Sequence, residues 1–483
     1  MLLALELGFL IDPRTARAEE PSAASERARG GSKEQLASRL SELITKSQVG
    51  GAMGVVVADA WSGERLFTLT PTTPRNPASN MKLVTAATVL KELGAEHRLR
   101  TTLSGSVGPG GRLPRLVLRG EGDPSLAFED LLAMAGRLAD YGVREVDEIV
   151  VDGSYFDDRI LPPAYEQQPR EIAAFRAPVA AVSVDRNAYE LRVAPGPAVD
   201  APASILLRCP DYFALEANVG TTATGTPAIV AEQKPQGDKL ALKLSGTMPF
   251  NLRGVGYERR IESPLPYAGA CLKAALRAQQ IGGALAVRVG GAEAGQPTLI
   301  THESPPVGVL LQRVGKLSDN FYAEMLLKVV GAESAHRPGS SVLGLARAEA
   351  LLRGAGAQPG AYTLVNGSGL FKGGALTPDL LVRLLAHVYR DPTLRPEYLA
   401  QLAVGGKDGT LSGRLTDLAH PRVVRAKTGT LDDVVALSGY VLGPSPERAL
   451  AFSILVNGVS GKQWMARDLA DNLVRALVAH LYP

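Results

Sequence analysis

The chain has 483 residues, enough for two to four domains and a large buried core. Apolar residues make up 45% and charged residues 21%, ordinary for a soluble globular protein and unlike a disordered chain. A net charge of +3 gives no electrostatic footprint for nucleic acid, two cysteines exclude a disulfide-dense scaffold, and six scattered histidines without an HExxH-type spacing give no metal site.

The first segment, Met1 to Ile11, is short and mostly apolar. Ala16-Arg17-Ala18 has the small-x-small form of a signal-peptidase site, so residues 1–32 are expected to be a truncated or atypical secretory signal and a mobile lead-in. A helix is expected from Ser32, with Leu36, Leu40, Leu43 and Ile44 on one face. A buried strand over Gly51 to Asp59, a turn at Ser62-Gly63-Glu64 and a second strand over Arg65 to Leu69 follow. A helix over Ser79 to Leu93, stopped by Gly94, comes next. Beyond it, turn signals alternate with β-rich segments at Leu116–Arg119, Glu148–Val151, Tyr189–Val193, Ser204–Leu207 and Leu240–Leu244, with a helix near Glu129 to Tyr141. Cys271 lies in Tyr267-Ala268-Gly269-Ala270-Cys271-Leu272, a buried helix face; it and Cys209 are read as free thiols, small hydrophobes without a bridge. Pro305 to Val330 reads as mostly helical, and Leu345–Ala355 and Pro378–Arg390 as further helices. Strands are expected at Val423–Thr428, Val435–Val441 and Ala449–Asn457, before a closing amphipathic helix over Met465 to His480. No run of about 18 or more apolar residues predicts a spanning helix.

Three short motifs stand on these elements: Ser79-Asn80-Met81-Lys82, Ser318-Asp319-Asn320 and Lys427-Thr428-Gly429. Each alone has a bland explanation: a chance Ser and Lys, a helix cap, a strand end with a turn glycine. In this order they spell the signature of penicillin-binding proteins and serine β-lactamases. The chemistry suits the residues. Ser79 and Lys82, three apart on a helix, share one face. A serine hydroxyl needs a neighbouring base, and a lysine serves once its pKa falls, which desolvation and nearby positive charge both promote; the positive helix end and Lys427 are expected to supply that charge. Ser318 can relay a proton between Lys82 and the leaving amine. Asn320, and with it Asp319, would contact the substrate. Lys427 and Thr428 can bind a peptide carboxylate, Gly429 lets the substrate backbone approach, and the amides of Ser79 and Thr430 would form an oxyanion hole.

From about residue 35 to the C-terminus the chain resembles the class C low-molecular-mass penicillin-binding proteins, the D-alanyl-D-alanine carboxypeptidase/endopeptidases of peptidase family S13. The resemblance rests on Pro77-Ala78-Ser79, Gly122-Asp123-Pro124-Ser125-Leu126, Ala177-Pro178, Val184-Asp185-Arg186-Asn187, Tyr267-Ala268-Gly269, Asn366-Gly367-Ser368-Gly369-Leu370 and Asp408-Gly409-Thr410-Leu411. It implies an α/β (α+β) fold: a transpeptidase-like domain of helices on an antiparallel sheet (33–98 and 304–483), interrupted by a mixed α/β domain (99–187 and 258–303) that carries a nested β-rich domain (188–257). It also implies a periplasmic serine DD-peptidase that acts on peptidoglycan stem peptides, is acylated by β-lactams and needs no cofactor or metal. Two positions depart from the pattern and are expected to contact substrate: Lys372, where some members have arginine, and Asp432, where some have glutamine. Between Ala164 and Phe175, where an aspartate would hold a diaminopimelate amine, the only carboxylates are Glu166 and Glu171. Two rival readings are a β-lactamase or related esterase, which would turn penicillin over rapidly, and a non-catalytic peptidoglycan-binding protein, which would not need Ser79. The sequence leaves open peripheral membrane association, oligomeric state and the balance of carboxypeptidase and endopeptidase activity.

Overall fold

The computed structural model describes residues 32–291, 295–336 and 338–483; the expected leader lies outside these residues except for Ser32. Ser32 caps the first helix, Lys33–Ser47, through a reciprocal capping box with Gln35.

The catalytic motifs hang on an antiparallel six-stranded sheet. Its spatial order is Ala403–Val404, Val424–Leu431, Val434–Val441, Leu450–Asn457, Ala52–Asp59 and Arg65–Leu69. Strand Val434–Val441 is buried along its whole length, and Ala52–Asp59 through its centre. Such continuous apolar runs occur where both faces of a sheet are covered. Side chains alternate between the two covers. Val55, Val57, Leu437 and Ile454 pack under the first helix and the last, Gln463–Leu481. Val56, Ala58, Ala436 and Leu455 face the helices Met81–Leu93, Asn320–Ala335 and Pro378–Arg390.

Between the first two motifs the chain builds a five-stranded mixed sheet, ordered Ala286–Val289, Glu145–Asp152, Arg112–Gly120, Arg100–Ser104 and Thr298–Glu303. The parallel pairs within it require crossovers, supplied by helices Phe128–Asp140 and Pro264–Ala278. Two three-stranded sheets complete this region: Phe213–Thr222, Lys239–Pro249, Ala228–Gln236, and Val255–Arg260, Ala188–Ala194, Ser204–Leu206. All of these sheets contribute to one shared apolar core.

Several local expectations are corrected. The Ser79 helix starts later than its periodicity suggests: Ala78–Asn80 is a single 3-10 turn and the α-helix runs Met81–Leu93. Pro305 to Val330 divides into Val307–Lys316 and Asn320–Ala335, because Ser318 adopts a left-handed φ of 60°. Cys209 and Cys271 form a disulfide across a sequence separation of 62 residues, with Cα atoms 4.6 Å apart. It ties the turn before strand Phe213–Thr222 to helix Pro264–Ala278. Spacing cannot announce such a pair, because the return of that turn onto the helix is a property of the tertiary topology. Strands Phe213–Thr222 and Ala228–Gln236 were not anticipated either: their central residues are largely exposed, so they lack a clean apolar alternation. Among the described residues no helix is long and apolar enough to cross a membrane.

Candidate active site

Ser79 sits in the 3-10 turn that leads into helix Met81–Leu93, half-buried at the helix start. The turn is wedged between two glycines. A Cβ on Gly429 would stand 2.9 Å from the Pro77 carbonyl oxygen, and one on Gly369 would stand 2.0 Å from that of Ala78. Gly429 therefore seats the nucleophile's own backbone against the strand, a use in addition to the substrate approach expected of it. Asn80 fastens the same junction by donating to the Lys427 carbonyl at 2.9 Å.

Lys82, one turn along the helix, is 1% exposed. Its Nζ lies 2.7 Å from Asn320 Oδ1, 2.7 Å from the Ser368 carbonyl oxygen and 3.1 Å from Ser79 Oγ. The Asn320 amide is oriented by its other end, which donates to the Phe175 carbonyl at 3.2 Å. Burial lowers the Lys82 pKa to about 7, while Glu324 and then Asp319 pull it upward. Of the two causes expected, desolvation and nearby positive charge, desolvation dominates.

Ser318 sits at the break between two helices, half-buried, and is not among the three groups that Lys82 bonds. Asp319 is the N-cap of helix Asn320–Ala335, accepting from the Tyr322 amide at 3.2 Å, and its carboxylate pairs with Arg313 at 3.2 Å and Arg186 at 3.6 Å. That engagement gives Asp319 a structural role at the helix start beside the substrate contact expected of it. Lys427 is fully buried on strand Val424–Leu431, where burial, then the neighbouring Lys82, holds its pKa well below the ordinary range. Its Nζ donates to the Thr428 carbonyl at 2.8 Å, and the Thr428 hydroxyl donates to Thr410 at 2.8 Å.

Thr430 and Asp432 are exposed at the end of this strand. With Lys372, Gln167 and Phe175 they line an open cleft of about 410 Å³ beside the motifs. Lys372 is exposed, and its backbone is held at both ends by the Gln167 side chain. Of the two carboxylates considered for the third stem residue, Glu166 is exposed, while Glu171 accepts from the Ala173 amide at 2.9 Å.

Sequence reasoning missed a second layer beneath Lys82. Glu324 is fully buried and accepts the amides of Gly367 at 3.1 Å and Ser368 at 2.7 Å. Thr85 donates to the Gly367 carbonyl at 2.6 Å, and the Tyr165 hydroxyl lies 3.3 Å from Ser368 Oγ. The signal was present: Glu324 lies four residues after Asn320, hence on the same helix face.

Residues 36–478 match the D-Ala-D-Ala carboxypeptidase 3 (S13) family. The chain belongs to this family of serine-type carboxypeptidases. A D-alanyl-D-alanine carboxypeptidase of Actinomadura sp. (strain R39) is 35% identical over 85% of this chain and 79% of that relative. The crystal structure of penicillin binding protein 4 (dacB) from Haemophilus influenzae matches with a TM-score of 0.74 at 24% identity, covering 90% of this chain and 99% of that one. A second structure of that protein, complexed with a β-lactam, gives 0.72 at 23% identity over 92% and 100%. The S13 chain therefore adopts the penicillin-binding-protein fold.

Proposed function

We propose that this S13 enzyme cleaves the terminal D-Ala-D-Ala bond of peptidoglycan stem peptides through an acyl-enzyme on Ser79, with Lys82 as the base. One observation carries the assignment. Two of the three groups around Lys82 Nζ are carbonyl oxygens, which only accept, and the third is a hydroxyl, which can donate. A neutral lysine has two N–H donors and one lone pair. An ammonium would donate to all three groups; the neutral form donates to Asn320 and Ser368 and can accept from the Ser79 O–H. That is the pose a general base needs, and a pKa near 7 makes the neutral form abundant at physiological pH.

In acylation, Ser79 Oγ forms a bond to the penultimate D-Ala carbonyl carbon while its proton passes to Lys82. The amide nitrogen of the terminal D-Ala then takes a proton as the C–N bond breaks. Ser318 stands beside Asn320 to carry that proton, after a shift of the Lys82 side chain that its present bonds do not yet make. The Ser79 and Thr430 amides would hold the oxyanion, and Lys427 with Thr428 the terminal carboxylate. Lys372 and Asp432 would meet the remainder of the stem peptide in the open cleft. Water then attacks the ester and frees Ser79. The same chemistry on a cross-linked peptide would be endopeptidase action.

Two further parts of the proposal concern setting and organisation. The Cys209–Cys271 disulfide supports a periplasmic or otherwise oxidising location. The separate sheets support a transpeptidase-like domain over 33–98 and 304–483, with 99–187 and 258–303 as one insertion and 188–257 nested in it. The test is incubation with benzylpenicillin followed by intact-mass analysis, beside D-alanine release from an acylated D-Ala-D-Ala peptide. A persistent adduct of one drug mass and D-alanine release, both lost in Ser79→Ala, are expected. Drug hydrolysis without an adduct would favour the β-lactamase reading.

A further inference from the structure

Beneath Lys82 lies an acidic side chain with no assigned role. Glu324 is carried on the helix that begins with Asn320, is 0% exposed, and sends both carboxylate oxygens to one loop. Oε2 accepts from the Gly367 amide and Oε1 from the Ser368 amide. The next carbonyl along, that of Ser368, is the one that accepts from Lys82 at 2.7 Å. From the other side, Thr85 on the Lys82 helix grips the Gly367 carbonyl. The 367–368 peptide is therefore a rigid spacer between a buried carboxylate and a buried amine. We propose that Glu324 is a positioning residue for Lys82: it fixes the Ser368 carbonyl against Nζ, and its negative charge balances the proton that Lys82 takes from Ser79.

The inference rests on the reading of Lys82 as the base. When Ser79 Oγ bonds to the substrate carbon, its proton moves to Lys82 and creates an ammonium in a site closed to water. Isolated burial of that charge is costly. Burial alone would also push the lysine's pKa further down, and Glu324 opposes that fall. The other charged or titratable groups facing the pair are Asp319, Lys328, Lys427 and Tyr165. Asp319 is engaged by Arg313 and Arg186, and Lys328 by Asp157 at 2.5 Å. Lys427 can only add positive charge and so cannot balance the ammonium, and Tyr165 stays a neutral phenol. Among the described residues Glu324 is thus the acidic group facing Lys82 without a cation of its own; burial raises its pKa, and the Gly367 and Ser368 amides and Lys82 oppose that rise and favour the carboxylate.

The experiment is the pH dependence of benzylpenicillin acylation in the wild type, Glu324→Gln and Glu324→Asp. The wild type should gain activity as pH rises through about 7, where Lys82 loses its proton. A negative neighbour favours the ammonium, so removing it lowers the lysine's pKa. In Glu324→Gln the acid limb should therefore move down by about one pH unit, and the plateau rate should fall by about tenfold or more. Glu324→Asp keeps the charge and should keep the wild-type limb with a reduced plateau. If Glu324→Gln does not fold, the aspartate variant decides through its plateau: a lowered plateau with the limb in place supports the role, and a plateau equal to wild type contradicts it. A folded glutamine variant with an unmoved limb sinks the positioning role alone. A wild type with no limb near 7 sinks both this inference and the assignment of Lys82.

Discussion

Lys82, Glu324 and Lys427 are each no more than 1% exposed, and their bonds run to backbone amides, carbonyls and fixed side chains. Lys372 and Asp432 lie in an open cleft at the end of the same strand that carries Lys427, with their side chains in solvent. Both regions hold charges of both signs, yet the physics differs. In the buried cluster, desolvation moves proton affinities by several units, so each group's neighbours decide whether it is a base, a cation or a bystander. In the cleft, water screens each charge, and an exposed pair contributes only about 0–1 kcal/mol. The buried cluster is suited to bond making and breaking, and the cleft to preference among substrates that the same chemistry can process.

Substitutions should reproduce that contrast in size. Ser79→Ala removes the nucleophile and should lower acylation by at least about 10⁴-fold, measured with benzylpenicillin and with a D-Ala-D-Ala peptide. Lys82→Ala should lower the acylation rate by about 10²–10⁴-fold with the fold retained by circular dichroism, and should abolish the rise in rate through pH 7. Gly429→Ala introduces a Cβ that would stand 2.9 Å from the Pro77 carbonyl; it should cost about 1–3 kcal/mol in denaturant unfolding and slow acylation by displacing the Ser79 turn. In the cleft, Lys372→Glu should change kcat/KM toward a stem peptide with a charged third residue by less than about fivefold, mostly through KM. A loss of several hundredfold from Lys372→Glu would erase the distinction between the two regions.

How much of this was legible in the sequence follows the same division. Ser79 and Lys82 are neighbours because three residues make nearly one helical turn, so their pairing could be read directly. The convergence of Asn320 on Lys82 came from the order of the three motifs, whose meaning rests on a family resemblance; no local periodicity predicts it across the intervening residues. Asp319 went the other way: the ordinary reading of an Asp before a helix, an N-cap, is the one the structure supports. Glu324 shares a helix face with Asn320, but an acidic residue in an apolar helix carries no label that distinguishes it from a solvated one. Its burial depends on the Asn366–Leu370 loop, which arrives from far along the chain. Which of the two expected causes dominates the lowered Lys82 pKa was not legible for the same reason, since the extent of desolvation is a property of packing. The disulfide was invisible because 62 residues and several strands separate its cysteines.

The central claim is that Lys82 is a buried amine near its titration midpoint at neutral pH. The most direct measurement is a carbon NMR titration of protein labelled at the lysine ε-carbons, with the Lys82 signal assigned by its loss in Lys82→Arg. A midpoint near 7 is the predicted result; a Lys82 signal that stays that of an ammonium up to the ordinary lysine range, about 10, would contradict the account.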